Sequence, residues 1–318
     1  MNLQPPCHAA PNAHVTSNGF ARVDRGTAKR LLTEQTCPDR SNLYFPHLHL
    51  CVADQKEIVR FRKNLPGGGF VGLNSVSNLR QQPGVWMHKF QLAEDMVDRV
   101  TRRVGRPHAF DIISPKRTAL VVIDMQNHFV KPGFPGEVPL ARDIVPNINR
   151  LAAGLRAAGG HVVWIKNSTN DTRDSWSSFH ETLMTPERMA TRYASMTEGA
   201  EGHDLWHLMD ARPDDAQIVK KRFSAFIQGS SALEAHLRAR DIDTLLIAGT
   251  ATNVCCESSA RDAMMLNFKV VMVSDATATY TDQEHAAALS AFYAVFGDVQ
   301  TVDEALASLE RGRDRVAA

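Results

Sequence analysis

Residues 244–262 read Thr244-Leu245-Leu246-Ile247-Ala248-Gly249-Thr250-Ala251-Thr252-Asn253-Val254-Cys255-Cys256-Glu257-Ser258-Ser259-Ala260-Arg261-Asp262. The apolar run 244–248 has the character of a core strand and ends at Gly249. A helix-like stretch over 254–267 follows within a few residues. Cys255 therefore stands where a strand hands over to a helix N-terminus. Backbone N–H groups without helical partners and the positive end of the helix dipole meet at such a junction, and both stabilise a thiolate. A cysteine placed there is a candidate nucleophile.

The same alternation continues on both sides. Apolar strands are predicted at 118–124, 161–166, 216–220, 244–248, 270–273 and 299–302, and helices at 144–158, 232–240, 254–267, 283–296 and 303–309. An amphipathic helix with Leu92, Met96, Val97, Val100 and Val104 on one face precedes them and closes near Gly105. Strands that are apolar throughout and alternate with helices imply a parallel sheet covered on both faces. The expected fold is α/β: a three-layer α/β/α domain with a mostly parallel sheet of about six strands. Residues 167–213 form a long polar stretch with helical pieces, read as a lid or substrate loop.

Residues 1–86 differ from the rest. Pro5-Pro6, Pro66-Gly67-Gly68-Gly69 and Pro83-Gly84 punctuate them, and their short apolar stretches have no clear period. They read as a poorly ordered extension ahead of a folded domain at 87–318. Two origins fit: a native extension, or an over-long gene reading whose natural start is Met87.

The net charge of +1 gives no reason to expect a nucleic-acid partner or an acidic membrane surface. The five cysteines are odd in number, irregularly spaced and without a Cys/His ladder, so neither a disulfide framework nor a zinc site is indicated. A reducing, cytoplasmic setting fits this usage. No apolar run approaches the ~18–20 residues of a membrane span.

In open parallel sheets, ligands bind beyond the carboxyl ends of the strands. Asp124 closes the first strand, Lys220 closes the third, and Cys255 follows the fourth. Singly, each has a bland reading: a turn-forming Asp, a solvated Lys, a Cys serving as a small hydrophobe. Together, three independent strands bring an acid, an amine and a thiol to one edge.

These residues lie in longer motifs that resemble the isochorismatase-like cysteine hydrolases. Val122-Ile123-Asp124-Met125-Gln126-Asn127-His128-Phe129 is similar to that family's opening strand motif, and Lys220-Lys221-Arg222-Phe223-Ser224-Ala225-Phe226 to its Lys-x-Arg-x-Ser-Ala-Phe segment. Gly249–Cys255 resembles the nucleophile segment, and Val273-Ser274-Asp275-Ala276 the next strand end. The motifs occur in family order over about residues 117–305.

The resemblance implies a triad of Asp124, Lys220 and Cys255. Lys220 rather than Lys221 matches, because the family Lys stands two before the Arg, here Arg222. Lys221 and Cys256 are then internal controls of the same residue types. The resemblance also implies an oxyanion hole from the N–H groups of Ala251 and Cys255, a non-proline cis bond at Thr250–Ala251, and a homo-oligomer. Lys220 and the helix N-terminus are expected to lower the Cys255 pKa. Candidate substrate contacts are Asn127, Phe129, Asn167 and Trp176. Tyr280 and His285 are weaker candidates from the other side, and Arg222 reads as a structural ion-pair residue.

Departures from the family narrow the chemistry. Its nicotinamidases carry an Asp-x-His metal motif after the second strand, where this chain reads Asn167-Ser168-Thr169. No metal or other cofactor is therefore expected, and His180 and His203 in the loop read as surface residues. True isochorismatases lack the nucleophilic Cys. The chain is most similar to the ureidoacrylate, N-carbamoyl and biuret amidohydrolase branch, which implies C–N bond hydrolysis on a small-molecule substrate. The alternatives are a nicotinamidase-type amidase and a non-catalytic family member acting through interactions.

Peptide mass spectrometry of the natively expressed protein distinguishes the two origins of the leading segment. With Met87 as the start, no peptide from 1–86 is recovered; abundant peptides from that segment overturn this origin.

Overall fold

The structure is a computed structural model. It describes residues 87–317 and, before them, only short strands at 14–15, 21–22, 42–45, 48–52 and 59–63. The chain divides into two compact units, Met1–Gln82 and Pro83–Ala318. In the first unit the strands pair antiparallel, as a two-stranded and a three-stranded sheet. The expectation of a poorly ordered extension concerns residues that, those strands apart, lie outside the described ones.

The second unit is a doubly wound α/β/α layer structure. Its strands are β1 (Thr118–Ile123), β2 (His161–Asn167), β3 (Ala216–Lys220), β4 (Thr244–Thr250), β5 (Lys269–Ala278) and β6 (Asp298–Gln300). They lie side by side in the order β6-β5-β4-β1-β2-β3, every pair parallel. The chain winds outward from β1 to β3, then returns to the far side of β1 as β4. That reversal opens a crevice at the carboxyl ends of β1 and β4, where sheets of this kind bind ligands.

Besides a single helical turn at Asn127–Val130, the helices are α1 (Glu94–Val104), α2 (Val145–Ala157), α3 (Pro186–Met196), α4 (Leu233–Arg238), α5 (Glu257–Met265), α6 (Asp282–Val295) and α7 (Val302–Ala317). Strand alternation sends successive side chains to opposite faces. Leu120, Val122, Trp164, Leu246 and Ala248 join one core with Ile148, Leu151 and Leu155 of α2 and Val302, Ala305 and Leu309 of α7. Val121, Ile123, Val163, Ile165, Leu245 and Ile247 join the other. There they pack with α1, α4, α5 and α6 through Val100, Leu237, Ala260 and Phe292. All six residues of β1 and all seven of β4 are buried, which is why neither strand shows a polar face in sequence.

Two elements run beyond their predicted ends. β5 continues from 273 to Ala278 after a register shift between Met272 and Thr277. The polar Ser274-Asp275 at the shift hides the continuation. α7 extends to Ala317 through charged turns that carry no apolar stripe. Among the described residues, no helix is long and apolar enough to cross a membrane.

Gly249 lies directly opposite Ile123 where β4 runs against β1. Its φ is 110°, and a Cβ there would fall 2.0 Å from the Ile123 carbonyl oxygen. Both facts require glycine. Gly249→Ala is expected to lower the stability of this unit by at least about 3 kcal/mol in chemical denaturation, since backbone must move; an unchanged midpoint contradicts that.

Candidate functional site

The end of β1 is pinned on both sides. Asp124 leaves the strand with φ 55°, a left-handed conformation that Asp tolerates. Its N–H donates to the Ile165 carbonyl of β2 at 3.0 Å, and its carbonyl accepts from Thr250 Oγ1 of β4 at 3.1 Å. The carboxyl group is fully buried, and Oδ1 has no hydrogen-bond partner among the described residues.

Lys220, the last residue of β3, is also fully buried. Its Nζ lies 2.9 Å from Asp124 Oδ2 and donates to Cys255 Sγ at 3.4 Å and to the Arg222 carbonyl at 3.0 Å. Its neighbour Lys221 turns the other way, to the exposed Asp171 at 3.2 Å. The strand alternation thus sends one lysine to the cluster and the other to solvent.

Cys255 lies in a π-helical turn, Thr252–Cys256, that feeds α5. The Thr250–Ala251 peptide before it is cis, as the resemblance implies. The N–H groups of Val254 and Cys256 both turn back onto the Ala251 carbonyl, each at 3.1 Å. Ser259 Oγ donates to the Cys255 carbonyl at 2.7 Å and locks the turn to α5. Cys256 points into the core instead, its Sγ 3.9 Å from the Ala248 carbonyl.

One electrostatic expectation is overturned. The Cys255 thiol is pushed up to about 12, first by burial and then by the negative charge of Asp124; Lys220 and Arg192 oppose this without outweighing it. For Lys220, burial acts to lower the pKa, but Asp124 and Cys255 carry it above the ordinary lysine value. The resting site is a buried ion pair beside a protonated thiol.

The predicted substrate contacts divide. The Asn167 side chain is buried at the end of β2 with its Nδ2 unpartnered among the described residues, although its backbone N–H and carbonyl both bond the Gln126 amide. Asn127 is committed: its Nδ2 donates to the Glu201 carbonyl at 2.9 Å and its N–H to the Asp204 carbonyl at 2.8 Å. Phe129 packs on the core and edge-on to His128. Trp176 stacks on Phe179 at 4.4 Å and meets Phe223 edge-on at 4.8 Å. Arg222 forms no ion pair among the described residues; it donates to the Lys221 and Ser175 carbonyls and lies 5.2 Å from the Trp176 ring centre. His285 Nδ1 lies 2.9 Å from Thr252 Oγ1 of the turn that carries Cys255, its ring stacked on His88 at 4.2 Å. Tyr280 is 53% exposed, so only part of its ring turns inward. His180 and His203, expected at the surface, are both buried.

Residues 168–215 fold over the cluster as α3 and shorter turns. Gln126 holds them through its Nε2, which donates to the Asn167 and His203 carbonyls at 3.1 and 3.0 Å. Trp206 N–H adds a bond to the Met125 carbonyl at 2.8 Å. Under this cover Cys255 is only 5% exposed. Sequence reasoning did not single out Gln126 or Arg192 of α3. Nothing in a polar loop marks one arginine among several, and the amide's role depends on backbone groups of distant segments.

Among the described residues, no three His, Cys, Asp or Glu side chains converge in a way that would hold a metal ion.

Comparison with known proteins bears on the fold that carries these residues. The family profile described as the isochorismatase domain matches residues 118–304. A cysteine hydrolase from Pseudomonas syringae pv. phaseolicola 1448A is 28% identical, with a TM-score of 0.54 over 63% of this chain and 95% of its own. An isochorismatase family protein from Desulfovibrio vulgaris subsp. vulgaris str. Hildenborough is 28% identical, with a TM-score of 0.52 over 64% of this chain and 99% of its own. An isochorismatase-like hydrolase from Alkaliphilus metalliredigens is 26% identical, with a TM-score of 0.51 over 62% and 98%.

The raised thiol has a measurable signature. Without substrate, alkylation of Cys255 by iodoacetamide is expected to be slow at neutral pH. Below the thiol pKa the thiolate fraction grows with each pH step, so the rate should rise about tenfold per unit from pH 7 to 9 without levelling. A plateau with a midpoint below pH 7, read by peptide mass spectrometry, would show a depressed thiol instead.

Proposed function

We propose that the chain, which belongs to the isochorismatase domain family, is a metal-independent cysteine amidohydrolase that cleaves a C–N bond of a small ureido, carbamoyl or amide substrate. The observation that carries this reading is the buried cluster in which Lys220 Nζ touches both Asp124 Oδ2 and Cys255 Sγ, at 2.9 and 3.4 Å. A nucleophile, a proton acceptor and a fixed cation stand within one contact shell. That is the minimum set for acyl transfer through a thiol.

In this reading Asp124 takes the Sγ proton as Cys255 attacks the substrate carbonyl. A thiol that rests protonated needs such a base, and Oδ1 has no competing partner among the described residues. Lys220 remains an ammonium and steadies both negative charges as the proton moves. Attack opens the C=O bond to a tetrahedral oxyanion, which the N–H groups of Ala251 and Cys255 receive. Collapse breaks the C–N bond. The leaving nitrogen takes the proton from Asp124, and a thioester remains on Cys255. Asp124 then removes a proton from water, the water attacks the thioester, and the acid leaves as the thiol is reprotonated. In this reading Asn167, whose Nδ2 has no partner among the described residues, donates to the substrate.

Cys255 argues for C–N hydrolysis over vinyl-ether cleavage, and Asn167-Ser168-Thr169 supplies no imidazole or carboxylate where a nicotinamidase-type metal motif stands. The ureidoacrylate, N-carbamoyl and biuret branch is the substrate range this reading favours.

Intact-mass analysis across a panel of ureides and amides tests the proposal by trapping an acyl group on Cys255, whose mass identifies the fragment. Cys255→Ala is expected to lose at least about a thousandfold in turnover, while Cys256→Ala stays within a few-fold of the unmodified protein. Full activity in Cys255→Ala would sink the proposal.

A further inference from the structure

Helix α3 is fastened beside the cluster by contacts on several sides. Its Ser195 hydroxyl is 2.9 Å from Nδ1 of His128, in the turn that follows Asp124. Its Tyr193 hydroxyl is 3.1 Å from Thr172 Oγ1, and its last carbonyl, that of Met196, accepts from Thr169 N–H at 3.3 Å. Arg192 stands three residues before Ser195, so it shares the face that Ser195 turns toward the end of β1.

Among the described residues, Arg192 makes no ion pair and no hydrogen bond, and its Nε is buried without a partner. The guanidinium carbon lies 5.9 Å from the Phe179 ring centre. Its charge is felt at Cys255, Asp124 and Tyr280. Arg222 donates to two carbonyls, while Arg173 and Arg188 are exposed.

The charges around the thiol do not balance. Lys220 and Asp124 cancel. His128 is lowered to about 3 by burial and by Arg192, and His180 is lowered by burial and the same arginine, so neither adds charge near neutral pH. The Cys255 thiol rests protonated. Arg192 is left as a partly buried cation with no charge partner among the described residues and with its Nε shut off from water, an arrangement that an anion would relieve. A guanidinium offers a planar pair of donors that fits a carboxylate in two-pronged fashion.

We propose that Arg192 anchors a carboxylate on the substrate, so that the site selects ureido or carbamoyl acids over neutral ureides and amides. The inference rests on the amidohydrolase reading above and narrows its substrate class. The anchor holds the acid end of the molecule under α3 while the carbamoyl carbon reaches Cys255, with the two charges of the Lys220–Asp124 pair left undisturbed.

The test compares N-carbamoyl-β-alanine with its methyl ester, which differs by the negative charge. In the unmodified protein kcat/KM is expected to favour the acid by at least about 100-fold. Arg192→Met should cut that ratio at least about 30-fold, and Arg192→Lys should keep part of it, because the charge stays while the fork is lost. Equal rates for acid and ester, or an equal fall for both in Arg192→Met, overturn the inference. Calorimetric binding of the acid to Cys255→Ala protein gives a readout independent of turnover: adding Arg192→Met should weaken it at least about tenfold. Arg192-dependent binding without hydrolysis of any ureide would discard the amidohydrolase reading and keep the anion subsite. Hydrolysis without Arg192 dependence would discard the subsite alone. Absence of both discards both.

Discussion

The dry ion pair between Lys220 and Asp124 is the constraint on which the site depends. Both side chains have no exposure, and they come from strands separated by a third. β3 is two strand spacings from β1, roughly 10 Å, so only a long side chain starting beyond the level of Asp124 can cross β2. The register supplies this: Lys220 lies opposite Asn167 at the end of β2, while Ile123, just before Asp124, lies opposite Ile165. Removing one partner of such a pair leaves a buried charge, at a cost of about 3–5 kcal/mol. Cys255 then sits in the field of a pair that the sheet itself holds in place.

The cover over the site is stitched mostly through backbone. Gln126 bonds both the N–H and the carbonyl of Asn167 and reaches the carbonyl of His203, so one amide ties β1, β2 and the covering segment together. Asn127 adds the Glu201 and Asp204 carbonyls. The residues directly after Asp124 thus close the chamber that Asp124 serves. Each of these bonds is worth only a modest amount against water, and Leu205, Trp206 and Met209 of the covering segment pack against one core.

The layered fold was legible because β1 and β4 are apolar from end to end, as a strand covered on both faces is and a strand with one wet face is not. The three converging residues were legible because each ends or follows a strand: Asp124 and Cys255 follow the two apolar ones, and Lys220 ends the half-buried β3. The state of the thiol was not. A helix N-terminus and a lysine point to a low pKa, whereas the outcome turns on complete burial and on a carboxylate from another strand. Trp176 looked like a ring awaiting a flat ligand and instead stacks on Phe179, a partner three residues along in an irregular turn. Arg192 was hidden for the opposite reason: its distinction is the partner it lacks, which sequence does not record.

A thiol kept protonated has a consequence for durability. Peroxide oxidation follows thiolate character and access, and the slide from sulfenic to sulfinic acid is the irreversible part of that path. At Cys255, burial and the carboxylate withhold the thiolate, and the covering segment limits access. In the proposed mechanism, the same features that call for a base shield the sulfur between turnovers, so redox hardiness follows from the way Cys255 is held.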